Sequence, residues 1–221
     1  MGFLNIFSKK KEPLLPLSEE KFREMVFFVE EREIRNRLPD LIGKRALEVS
    51  PRHDPFSPVF KEKGAKIVAR IGGTKEKETA AERRGGEAFI LSHWENLPFL
   101  EASWDFVLLR TAFLKGGFGR ILREISRVLK PDGVVMVCDL HPFSAMVQKE
   151  HLKNPVGEEG VGPGFERYFK FYRDSGLRLQ AVKEFFFEGS FKKFFASAQD
   201  QKLFEQLRRT PFMILFLLKK E

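Results

Sequence analysis

Apolar positions at helical spacing open the readable part of the chain. Phe22, Met25, Val26, Val29, Ile34 and Leu38 recur at steps of mostly three to five residues behind the start signal Ser18-Glu19-Glu20. A helix is expected over 18–38. The pattern changes at Gly43, and Arg45–Val49 reads as a short buried strand. Asp54-Pro55 and Ser57-Pro58 carry cap and first-turn chemistry. A helix capped by Asp54 should therefore run to about Lys63 and stop at Gly64. Residues 66–71 read as a second strand, 75–84 as an exposed helix and 87–91 as a third strand. A fourth strand covers 105–110, an amphipathic helix 118–129, and a nearly all-apolar, hence central, fifth strand 134–140. Between the last two, Pro131 should stop the helix and Gly133 should supply a positive φ.

Strands alternating with helices at this spacing imply right-handed crossovers and a parallel sheet, hence an α/β fold. After a glycine-rich stretch over 155–164, the pattern predicts a helix over 165–173 and a strand over 177–187 with a bulge in its second half. Mixed loop and helix follow over 191–208, then a last strand over 211–218. This end reads as an antiparallel closing hairpin with an insertion, giving seven strands with 134–140 interior. Residues 1–16, broken by Pro13 and Pro16, read as a poorly packed tail, and 17–221 as one domain. Ile6 breaks the myristoylation pattern despite Gly2.

Composition narrows the class. The chain has 221 residues, 43% of them hydrophobic and 32% charged, with no run long enough to span a membrane. A single cysteine, Cys138, excludes a disulfide scaffold and suits a reducing, cytoplasmic setting. The net charge is +8, yet no segment forms the basic stripe that tracks a phosphate backbone, so nucleic acid is not an expected partner. A mild pull on small anionic partners remains. Phenylalanine dominates the aromatics, with 25 residues against two Trp and two Tyr, and nearly half of them lie beyond Gly164. That richness fits an aromatic core, an apolar substrate pocket or a subunit interface.

Three stretches carry a family resemblance. They are LIGKRALEV at the first strand, ENLPFLEASWDFVLLR from the third strand to the fourth, and REISRVLKPDGVVMVCDLHP through the fifth. In them the chain resembles the class I S-adenosylmethionine-dependent methyltransferases, in particular the small-molecule branch called type 11, over residues 38–144. The resemblance implies a Rossmann-like seven-stranded sandwich, S-adenosylmethionine as cofactor, and methyl transfer to a small or carrier-bound substrate.

It also implies where the cofactor would bind. The acidic residue that ends the family's first strand is matched by Glu48. The three positions of its glycine-rich loop are Ser50, Arg52 and Asp54, with Pro51 removing a donor N–H. The ribose acid at the end of the second strand is replaced by Ile71, or Arg70 one residue earlier. The adenine-gripping positions after the third strand are His93 and Trp94, of which Trp94 could stack on a ring or fill the slot. Three separate departures from the family's pattern predict weak binding of S-adenosylmethionine, or none.

Other candidate chemistry gathers at the carboxyl ends of the strands. His141 follows the fifth strand, where a substrate contact or base would sit, and Asp139 could orient it; it could also be a plain turn histidine before Pro142. Arg110, with Thr111, ends the fourth strand and reads either as a carboxylate or phosphate clamp or as a surface ion pair. Arg52, His53, Arg70, His93, Arg110 and His141 would then line a basic rim. The four histidines lie too far apart for a metal site, and no P-loop, G-x-S-x-G elbow or G-x-G-x-x-G fingerprint is present. Two functions fit these residues. One is a methyltransferase; the other is a non-catalytic relative that works as a binding or scaffold protein and associates through its Phe-rich C-terminal region.

Overall fold

The structure, a computed structural model, describes residues 19–50, 55–72, 88–112, 117–144 and 165–221. The expected tail over 1–16, the Asp54 cap, the helix over 75–84 and the stretch over 155–164 lie outside the described residues, as do Arg52 and His53.

Helix α1 (Glu19–Arg37) leads into β1 (Arg45–Val49), α2 (Ser57–Glu62), β2 (Ile67–Gly72), β3 (Ala88–Leu91) and β4 (Trp104–Arg110). Then come α3 (Phe118–Val128), β5 (Leu129–Leu140), α4 (Phe165–Asp174), β6 (Leu177–Phe186), a 3-10 turn at Gly189–Phe194, α5 (Ala198–Leu207) and β7 (Pro211–Lys220). The seven strands form one sheet in the order β3-β2-β1-β4-β5-β7-β6. Strands β1 to β5 pair in parallel, while β7 runs antiparallel to both β5 and β6. The order folds outward from β1 in both directions, so the carboxyl ends of β1 to β5 share one edge of the sandwich, the usual place for ligands in such sheets.

Two apolar layers cover the sheet, and strand alternation sorts residues between them. Ala46, Phe106, Leu108, Met136 and Cys138 face α1, α2 and the 3-10 turn with α5. Leu47, Val107, Leu109, Val135 and Val137 face α3 and α4. The phenylalanine surplus goes largely into the first layer. Phe22 and Phe28 of α1 meet Phe212, Phe191 and Phe194 edge-on, and Phe187 packs on Phe212 at 4.6 Å. Much of the C-terminal aromatic content is thus core.

The α3–β5 turn works differently from the sequence reading. The helix ends at Val128, before Pro131 acts, and β5 already begins at Leu129. The positive φ falls on Asp132 at 61°, not on Gly133. Gly133 is needed for space instead, because a Cβ there would lie 2.8 Å from the Lys130 carbonyl oxygen. The irregularity expected in β6 occurs at two places, between Leu179 and Ala181 and between Phe185 and Phe186.

Candidate functional site

At the carboxyl end of β1, Glu48 is fully buried and both of its carboxylate oxygens are engaged. Oε2 accepts the backbone N–H of Phe56 at 2.7 Å and of Ser57 at 2.9 Å. These are orphan donors at the start of α2, where the residue at the N-cap, Phe56, has no capping side chain of its own. The helix is capped from β1, across a span of eight or nine residues. Glu48 Oε1 accepts from Arg110 at 3.1 Å.

Arg110 corrects the sequence reading. It lies on no open rim, and it is neither an anion clamp nor a surface pair. Its side chain is fully buried between Glu48 and Glu30 of α1, donating to Glu30 at 2.6 Å, with its guanidinium 4.7 Å over the Phe56 ring. Arg70, also buried, stacks on Phe89 at 4.2 Å and acts electrostatically on Glu48. Burial pushes the Glu48 carboxyl up from its ordinary range. Arg110 and the α2 N–H groups oppose that, but burial is the larger effect.

The other cofactor positions resolve as follows. Ser50 is buried and donates its N–H to the Ile71 carbonyl at 3.3 Å, extending the β1–β2 pairing by one rung. Ile71 is buried in the α3-side core. His93 is exposed in the turn after β3, where its carbonyl accepts from Asn96. Trp94 packs partly buried against that same core, and its indole N–H is enclosed without an acceptor.

The family's pattern would place acidic side chains at the ends of β1 and β2 for the cofactor. Both Glu48 oxygens already accept hydrogen bonds, and Ile71 has no side-chain acceptor. Among the described residues neither position offers the ribose or the sulfonium an uncommitted carboxylate.

At the end of β5, His141 is buried. Its Nδ1 accepts the Phe143 N–H at 3.2 Å, so Nε2 carries the proton and donates to Glu184 of β6 at 2.8 Å. Both nitrogens are occupied, which leaves no lone pair for a base. Asp139 does not orient it. Its own partners lie elsewhere in the α3–α4 layer: Asp139 accepts the Tyr168 hydroxyl at 2.6 Å and the Leu140 N–H at 2.7 Å. Burial without a cationic partner pushes the Asp139 carboxyl up to about 6. Burial and the nearby acid push the Tyr168 and Tyr172 hydroxyls well up, so both stay neutral. The basic rim therefore does not form from described residues: Arg70, Arg110 and His141 are all inside.

Sequence reasoning missed Glu30 and Tyr168. For Glu30 there was a signal, since it sits four residues beyond Val26 on the apolar stripe of α1, where a carboxylate calls for a buried partner. Tyr168 sat at an ordinary helical position and gave none.

The strand order with its antiparallel β7 defines a methyltransferase-type α/β sandwich. Residues 47–137 match the model of the methyltransferase domain. Over that stretch the chain is similar to the methyltransferase-domain family. It is 31% identical over 124 residues to phthiotriol/phenolphthiotriol dimycocerosates methyltransferase 1 of Mycobacterium ulcerans, a match covering 50% of this chain and 43% of that one. The chain thus spans less than half of that relative's length. It is 27% identical over 185 residues to demethylmenaquinone methyltransferase of Thermotoga maritima, covering 74% and 80%. Its fold matches the crystal structure of an S-adenosylmethionine-dependent methyltransferase from Mesorhizobium loti with a TM-score of 0.65 at 18% identity, covering 87% and 98%. Among the described residues no helix is long and apolar enough to cross a membrane, and no group of three His, Cys, Asp or Glu could hold a metal ion.

Proposed function

We propose that this methyltransferase-like chain does not use S-adenosylmethionine at the family's site and acts by binding rather than by methyl transfer. The observation that carries this reading is the buried Glu30–Arg110–Glu48 triad. It commits the acid at the end of β1 to holding α1, β4 and α2 together. With Ile71 in place of a ribose acceptor, two charge-assisted contacts are missing. Each is worth about 1.5–3 kcal/mol, and about 1.4 kcal/mol is a factor of ten in affinity. Calorimetric titration with S-adenosylmethionine and S-adenosylhomocysteine should give dissociation constants in the millimolar range or no heat at all. A micromolar constant for either would overturn the reading.

A second reading keeps methyl transfer to a small or carrier-bound acceptor. The domain match over 47–137 favours it, as does a demethylmenaquinone methyltransferase aligned over 80% of its length. The same titration separates the two, because this reading requires the micromolar constant.

A further inference from the structure

The end of the sheet opposite the carboxyl ends of β1 to β5 carries a groove between α4 and the start of β6. Phe169, Tyr172 and Arg173 line it from the helix, and Leu177, Arg178 and Leu179 from the strand, around about 360 Å³. That volume falls in the range of small-molecule sites. Phe169 is 43% exposed although it is large and apolar. It stacks on Phe165 at 6.3 Å, and Phe165 in turn meets Phe143, 54% exposed, at 6.3 Å. Apolar surface therefore runs along α4 from the end of β5 down to the groove. From Phe165 to Arg173 the helix rises about 12 Å.

The charges at the lower end point one way. The Arg178 side chain makes no hydrogen bond or ion pair among the described residues. Asp132, on which the Arg178 charge acts, pairs with Lys219 at 2.8 Å. Arg173 has a loose 4.0 Å contact to Asp174, whose carboxylate also takes Lys170. Two arginine side chains, Arg173 and Arg178, and one acidic side chain, Glu221, line the groove. A wholly apolar partner would leave two guanidinium groups unused. A polyanion would leave the aromatic and leucine floor unused. An amphiphile uses both, because a guanidinium grips a carboxylate or phosphate with paired N–H groups while the tail lies on the apolar floor.

We propose that the α4–β6 groove binds an amphiphilic anion, with its apolar tail along Phe169 and Leu179 and its acidic head on Arg173 and Arg178. The inference is independent of whether the cofactor site works, since none of its residues lies at the ends of β1 to β4.

Calorimetry of the full chain with dodecanoate, kept below its micellar concentration, tests it. Dodecanoate should bind with one-to-one stoichiometry, and dodecyltrimethylammonium at least tenfold more weakly. The double variant Arg173→Glu/Arg178→Glu should weaken dodecanoate at least tenfold, and Arg173→Lys/Arg178→Lys should weaken it less. Both arginines are exposed, and unchanged circular dichroism confirms the fold. Equal affinity for the two amphiphiles, no binding of dodecanoate, or unchanged affinity in the Glu variant overturns the proposal. Co-sedimentation with phosphatidylglycerol vesicles is a separate arm. Vesicle binding without binding of free dodecanoate would make this face a membrane-docking surface and would also overturn it.

Discussion

The two faces of the sheet each bury an acid near the carboxyl ends of the strands, and they satisfy it in opposite ways. On the α1 side, Glu48 meets a guanidinium, a second carboxylate beyond it, and two helix N–H groups. On the α3–α4 side, Asp139 meets a phenol, a threonine hydroxyl and one backbone N–H, with no cation in contact. Burial raises both carboxyls, and only the first has a full positive charge to oppose it. The first arrangement locks three elements together and depends on every member. The second is cheaper to build and leaves a group that titrates within a few units of neutrality. A buried triad is weak evidence for stability in itself, but it is costly to break from within. In this chain it also stands at the position that matches the family's first-strand acid, so Glu48 is engaged in holding the fold at that position.

The largest expected effect comes from breaking the α1 side. Arg110→Met would leave Glu30 and Glu48 buried with neither paired to it. Loss of one partner from such a site costs about 3–5 kcal/mol. Urea denaturation should register that loss, and the triple variant Arg110→Met/Glu30→Gln/Glu48→Gln should recover much of it. If Arg110→Met alone costs under about 1 kcal/mol, the triad does not hold α1 to the sheet, and the argument against the cofactor weakens with it.

Part of this was legible in the sequence. Arg45–Val49 was found to the residue, and the strands around β4 and β7 to within two, because buried parallel strands are short apolar runs between clear breakers. The candidate site was harder for a physical reason. Arg110 ends an apolar run, and a charge in that place reads as a surface group. Its partner Glu30 lies 80 residues away, a pairing that no local pattern displays. Glu48 was recognised as the family's acid, but its capping of α2 could not be read, because Asp54-Pro55 supplied a competing and more familiar cap signal. The histidine at 141 was placed correctly at the end of β5. Its neighbours Glu184 and Phe143 are what remove it from chemistry, and these contacts depend on how β6 crosses back.

An intermediate effect should come from the other face, read as a pH profile. The folded-state value for Asp139 is about 6, against an ordinary 3.8. The folded chain therefore holds this proton more tightly than the unfolded chain. Stability from that source is complete below about pH 4 and is lost as pH rises to and through 6. The span of the shift sets an upper bound of about 3 kcal/mol, at about 1.4 kcal/mol per unit. Asn does not titrate. The stability difference between the native chain and Asp139→Asn should therefore move by about 1–3 kcal/mol from pH 4 to pH 7, in favour of the variant at the higher pH. Glu48 is present in both proteins and cancels. A difference that stays constant across this window would mean that Asp139 ionises at its ordinary pH and is not buried as described.

The smallest effect sharpens what the phenol contributes. The Tyr168 hydroxyl donates to Asp139 and so favours the ionised carboxylate; it works against burial, though burial wins. Removing the hydroxyl in Tyr168→Phe keeps the ring against Phe216, 5.1 Å away, and deletes the donor alone. The Asp139 carboxyl should then titrate still higher in the folded state. The extra cost falls on the ionised form, so it should be present at pH 8 and shrink as pH falls below the native value of about 6. A hydrogen bond to a charged group is worth about 1.5–3 kcal/mol, but Thr111 and the Leu140 N–H remain, so a loss of about 1–2 kcal/mol at pH 8 is expected. Paired denaturation curves at pH 4 and pH 8 measure it. An equal loss at both would mean that Tyr168 only packs against the sheet and that Asp139 is held by its own strand, which would remove α4 from the polar cluster on that face.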